Sequence, residues 1–98
     1  MRIDKEREGD KLTLAVIGRL DTTTAPELSA ALDASLEDVK ELILDLGGLE
    51  YISSAGLRVL LGAQRRMNKQ GSMKLVHVNE LVMEVFEVTG FSTILTIE

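Results

Sequence analysis

Apolar residues along this chain switch their spacing several times between two and three-to-four, and each switch marks an element. Residues Ile3 to Glu8 alternate weakly, and Lys11 to Ile17 (KLTLAVI) alternates clearly, with Leu12, Leu14 and Val16 on one face. Gly9-Asp10 between them supplies turn chemistry, so the two runs predict a β-hairpin whose second strand ends at Gly18. Arg19-Leu20-Asp21 then leads into three threonines. A helix is expected from Thr23 or Thr24: Thr24 and Glu27 match a capping box, and Pro26 suits a first helical turn. Leu28, Leu32 and Leu36 recur four apart, with Ala25 and Ala31 beside them, and this helix should end by about Asp38.

Glu41 to Leu46 (ELILDL) reads as a short strand buried on both faces, as parallel strands are. The next helical stripe is Leu57, Leu60, Leu61 and Met67, flanked by Val59 and Ala63. Arg58, Arg65, Arg66 and Lys69 occupy the remaining face, three of them toward the C-terminus, where they complement the helix dipole before Gly71 closes the helix. Ser72 to Val78 predicts a strand with Met73, Leu75 and His77 on one face. Asn79 is a good N-cap for a helix carrying Val82, Val85, Phe86 and Thr89, Gly90 stops it, and Ser92 to Ile97 predicts a last strand. The order β-β-α-β-α-β-α-β implies a single α/β domain over residues 1–98. Its crossovers should be right-handed and its sheet mixed but mostly parallel, with the N-terminal hairpin as an antiparallel edge.

Composition narrows the chemistry. A 98-residue chain supports one core, and with only Tyr51, Phe86 and Phe91 aromatic that core must be aliphatic. With no cysteine and the single histidine His77, neither a thiolate nor a multi-histidine metal centre can be built. A net charge of −5 argues against general nucleic-acid binding, while leaving room for local basic patches. The charged start MRIDKEREGDKL has no apolar signal region, and no run approaches the ~20 residues that cross a bilayer, so a cytoplasmic location without membrane insertion is expected.

No phosphate-cradling loop of the GxxxxGK[ST] or GxGxxG kind is present, and no cofactor is implied. Asp21 and Asp45 lie near the C-terminal ends of strands, where ligands collect in α/β sheets, although the plain role for Asp21 is to brace its loop. His77 reads as a core or edge residue, and Arg65-Arg66 as a solvated face. What remains is the stretch Asp45 to Leu61, DLGGLEYISSAGLRVLL, with Ser53-Ser54-Ala55-Gly56 at a helix start. One cap uses one serine, and here there are two. Gly56 in the first turn implies that something approaches the backbone closely. A phosphoryl group on Ser54 would lie by free backbone N–H groups at the positive end of the helix, adding nearly two negative charges.

LDLGGLEYISSAGLRVLL resembles the central motif of the STAS domain, specifically of bacterial anti-sigma factor antagonists: a strand ending Asp-Leu, a loop, then Asp-Ser-Ser/Thr-Gly-Leu. GRLDTTTAPEL (Gly18 to Leu28) resembles the segment before the family's first helix, and VFEVTGF (Val85 to Phe91) its late signature, so the resemblance spans the chain. It implies a non-enzymatic, phosphorylation-controlled partner switch. The unphosphorylated form binds an anti-sigma factor that is a GHKL-type serine kinase, freeing a sigma factor. Phosphorylation ends binding, and a PP2C-type phosphatase restores it. By position the phosphoacceptor is Ser54, with Ser53 the lesser choice, and Asp21 falls beside that serine. Asp21, Thr22, Ser53, Ser54, Ala55, Gly56 and Arg58 become the expected partner surface. The chain departs from the family in carrying Ser53 where an Asp is common. It also lacks the C-terminal helix of many relatives, which is expected to leave one sheet face less covered or open to a partner. A second reading keeps the fold in a transport or scaffold complex without a phospho-switch, and a third, ranked below both, is an enzyme or nucleotide binder.

Overall fold

The computed structural model describes residues Met1–Glu98. Five strands and three helices follow in the order β1 (Arg2–Glu8), β2 (Lys11–Leu20), α1 (Ala25–Ser35), β3 (Glu41–Asp45), β4 (Leu49–Ile52), α2 (Ser54–Gln70), β5 (Ser72–Val76) and α3 (Glu80–Thr89), ending in a 3-10 turn, Phe91–Thr93. The sheet runs β1-β2-β3-β5, with β4 pairing with β2 off this path. The hairpin is antiparallel, Ile3 opposite Val16 and Arg7 opposite Leu12, while β2, β3 and β5 are parallel.

Register explains the core. Leu12, Leu42 and Met73 form one row across the sheet and Leu14, Leu44 and Leu75 the next, all buried on the same face. Leu28 and Leu32 of α1 with Leu36 just past its end, Leu57, Leu60 and Met67 of α2, and Val82 and Phe86 of α3 complete that core. The opposite face keeps Thr13, Ala15, Ile17, Lys74 and Val76 only half-buried. Helix α1 closes on Leu36, whose N–H donates to the Leu32 carbonyl at 3.0 Å, and the exit from it is held further by Gln70 of α2. Its side-chain amide donates to the carbonyls of Leu36 and Val39, both at 2.7 Å, fixing the linker into β3.

Four expectations are corrected. β2 does not end at Gly18. That glycine, at φ +104°, lets the strand run on to Leu20 with a register shift, and its N–H donates to the Gly48 carbonyl at 2.9 Å. The segment after Gly47-Gly48 is not all loop but the short strand β4, paired in parallel with the far end of β2, Leu20 opposite Ile52. The capping box at Thr24 does not form: Thr24 is the N-cap residue, but its hydroxyl is spent on the Arg19 carbonyl at 2.7 Å. The helix end is as expected, at Ser35 and so before Asp38, which turns left-handed at φ +63°. The last strand, expected from Ser92, is reduced to a single bridge between Leu75 and Ile97. Phe91's carbonyl accepts from the N–H groups of Ile94 and Leu95, winding the preceding residues into a turn.

Candidate functional site

The site is built where β2 and β4 end side by side. Pairing of Leu20 with Ile52 carries on into a hydrogen bond from Ser53 N–H to the Leu20 carbonyl at 2.9 Å, so Asp21 and Ser53 leave neighbouring strand ends together. Ser53 has extended backbone, φ −98° and ψ 175°, and is the N-cap of α2, its hydroxyl accepting from Gly56 N–H at 3.4 Å. Ser54 is the first helical residue and is exposed. The two serines therefore divide: one is engaged with the helix backbone, the other presents a free hydroxyl beside the unpaired N–H groups of the first turn.

Gly56 is buried, and the close approach that it permits comes from within the chain. A Cβ placed there would stand 2.7 Å from Leu20 Cγ and 2.9 Å from Ile52 Cγ1. Gly56 thus seats the start of α2 on the β2–β4 pair and offers no side chain to a partner, which removes it from the expected contact surface. Ala55 is half-buried, and Arg58 is exposed with no carboxylate paired to it.

Asp21 braces its loop. One carboxylate oxygen accepts from Thr23 N–H at 3.0 Å, Thr23 hydroxyl at 2.8 Å and Thr24 N–H at 3.1 Å. The Thr23 hydroxyl above all, then the Thr24 N–H, hold this carboxyl below the usual aspartate range. Its other oxygen lies 3.9 Å from Arg19 Nε. Thr22 is exposed at the tip of the same loop. The sequence reading missed two neighbours, Arg19 and Tyr51. They sit opposite each other on β2 and β4, with the guanidinium carbon 4.3 Å from the ring centroid. The signal was available, since both flank inward-facing residues, Leu20 and Ile52.

Asp45 and His77 form a separate cluster. His77 is not a strand residue: it follows β5 at φ +59°, is exposed, and sets Nδ1 3.1 Å from Asp45 Oδ1. Asp45 accepts from Gly47 N–H at 2.9 Å, and this bond first, then His77, lowers its pKa. Together with the Asn79 side chain, which donates to the Leu49 carbonyl at 2.7 Å, the cluster ties down the loop entering β4.

A family model described as Mlab, STAS domain matches residues 3–96. The anti-sigma-B factor antagonist of Listeria monocytogenes is 35% identical over 98 residues, covering 96% of this chain and 84% of that protein. Among solved structures, an anti-sigma factor antagonist from Mycobacterium paratuberculosis matches with a TM-score of 0.88 at 24% identity, covering 98% of this chain and 83% of that one. The Bacillus cell fate determinant SpoIIAA, in its phosphorylated form, matches at TM-score 0.76 and 18% identity, covering 99% and 91%. At these identities the two structures speak to the fold alone.

Proposed function

The chain belongs to the STAS domain family, among the anti-sigma factor antagonists, and we propose that Ser54 is the phosphoacceptor of its partner switch. An anti-sigma factor antagonist binds an anti-sigma factor, so the primary partner is of that class. The finer roles are our own reading. The anti-sigma factor is a GHKL-type serine kinase that is bound while Ser54 is unmodified. The kinase moves the γ-phosphoryl of ATP to Ser54 Oγ: the bond to the departing ADP breaks, a P–O bond to serine forms, and the hydroxyl proton passes to a base of the kinase. A PP2C-type phosphatase returns the hydroxyl by hydrolysis, releasing inorganic phosphate. In this cycle the domain is substrate and ligand rather than catalyst, needs no cofactor, and works in the cytoplasm, where sigma factors act. No helix is long and apolar enough to cross a membrane.

One observation carries this reading: Ser53 does the capping, which leaves Ser54 exposed at the first position of α2 with no structural task. A dianionic phosphate there is favoured by the helix N-terminus, so modification need not disturb the fold. A bound partner, in contrast, would have to desolvate that charge. The test is incubation with the anti-sigma kinase and ATP followed by mass mapping. One phosphate on Ser54, absent from Ser54→Ala, is expected, with loss of kinase binding in the phosphorylated form. Phosphate found only on Ser53, or equal binding by both forms, would refute the proposal.

A further inference from the structure

Beyond the serines, α1 and α2 pack so as to leave an open groove of about 320 Å³ between them. Its floor is apolar, with Leu32 from α1 and Val59 and Ala63 from α2. Its α2 rim is basic, with Arg58 and Arg66. Helix α2 as a whole carries Arg58, Arg65, Arg66 and Lys69 and no carboxylate, in a chain whose net charge is −5. Arg66 reaches Asp33 across the groove at 3.9 Å, whereas Arg58 has no acidic partner.

Gly62 lines the same groove, in the middle of a 17-residue helix. Glycine is the poorest helix former short of proline, and an interior glycine normally answers to a packing need. Gly56 has such a need and Gly62 has none: a Cβ at position 62 would meet nothing within 4 Å. Its present effect is to keep the groove open.

We propose that this groove receives an acidic amphipathic segment of the anti-sigma factor, with apolar side chains over Gly62 and a carboxylate on Arg58. The inference rests on the partner switch argued above and names its second contact. It also gives the switch a local device. Ser54 and Arg58 are four apart on α2 and share a face, so a phosphate on Ser54 competes for Arg58 and repels the carboxylate bound there. Charge complementarity selects an acidic occupant, and the apolar floor selects one with a hydrophobic face.

The experiment titrates unphosphorylated protein with the purified anti-sigma factor of the same genome by calorimetry, at two salt concentrations. Gly62→Leu should keep native circular dichroism, because the position is open and leucine favours helix, and should weaken binding at least tenfold. Arg58→Glu should weaken it at least as much, with a smaller salt dependence, and reversing an acidic residue of the partner's segment should restore it. Arg65→Glu, an equal charge change on the same helix outside the groove, should stay within about twofold. Wild-type affinity in both Gly62→Leu and Arg58→Glu overturns the groove, while phosphorylation of Ser54 in the same samples shows the switch itself intact. If wild-type protein neither binds nor is phosphorylated, both readings fall. Sedimentation velocity covers the remaining occupant: self-association abolished by Gly62→Leu would assign the groove to a second copy of this chain and overturn the proposal.

Discussion

At the scale of single residues, the two adjacent serines have different tasks, and substitution should separate them. Ser53→Ala removes the side-chain acceptor at the N-cap and should cost about 1 kcal/mol in chemical denaturation, while leaving phosphorylation of Ser54 in place. Ser54→Ala removes an exposed hydroxyl and should stay within about 0.5 kcal/mol of wild type, yet abolish phosphorylation. The reverse pattern would exchange their roles. Asp21 gives a third check, through pH. Its carboxyl is held below the usual aspartate range by the Thr23 hydroxyl first and then the Thr24 N–H. A depressed carboxyl contributes stability that is fully present above the unfolded pKa and lost as pH falls through the folded one. Asp21→Asn should therefore be less stable than wild type at neutral pH, with the gap closing as pH falls through and below the ordinary aspartate range. Urea midpoints at neutral pH and below that range measure it, and a constant gap would show that the carboxyl does not act by its charge. The serines were readable because a cap needs one hydroxyl and the sequence offers two. His77 was not, because its alternation with Met73 and Leu75 continues past the point where the backbone turns to φ +59°. Spacing carries no sign of that turn.

At the scale of elements, the two glycines of α2 make opposite predictions from one substitution. Gly56→Ala puts a methyl 2.7 Å from Leu20 Cγ at the packed β2–β4 junction, and should destabilise by about 1–3 kcal/mol. Gly62→Ala adds the same methyl in open space and should stabilise by about 0.5–1 kcal/mol. Denaturant midpoints of the pair decide it, and equal effects would mean that neither contact is as described. Long periodic elements, β2's first half and all three helices, were legible because burial imposes a period. β4 was not. Its four residues, Leu49-Glu50-Tyr51-Ile52, bury only the first and last, too few to establish a period after two glycines. The partner change of β2 at Gly18 depends on a positive φ and on a strand that had not been recognised, so the glycine read as an ending. The C-terminal run STILTI has strand composition, but Gly90 in the left-handed region sends the chain into a turn first, and local propensity loses to that geometry.

At the scale of the molecule, what matters is that charge is sorted by element. α2 is wholly basic, and α3 carries Glu80, Glu84 and Glu87 with no cation. Ser54 stands at the N-terminus of the basic helix, while the core beneath it is closed by Leu20, Ile52 and Leu57. Phosphorylation of Ser54 should thus change the surface and not the packing. Net charge should move from −5 to about −7, and the fold should persist. Amide shifts between the two forms should be confined to the ends of β2 and β4, the Asp21–Thr24 loop and the first turns of α2, with the α3 and β5 amides unmoved. Affinity for the anti-sigma factor should nevertheless fall about 100-fold or more, since roughly 3 kcal/mol of lost interaction is enough to part the two states. Heteronuclear spectra of both forms, recorded beside a binding titration, test the two halves together. Shifts spread through the core would mean that the phosphate acts by unfolding, and the local account of the switch would fail. Confined shifts with full loss of binding would make the N-terminal end of α2, with the groove that begins at Arg58, the surface through which this fold is read.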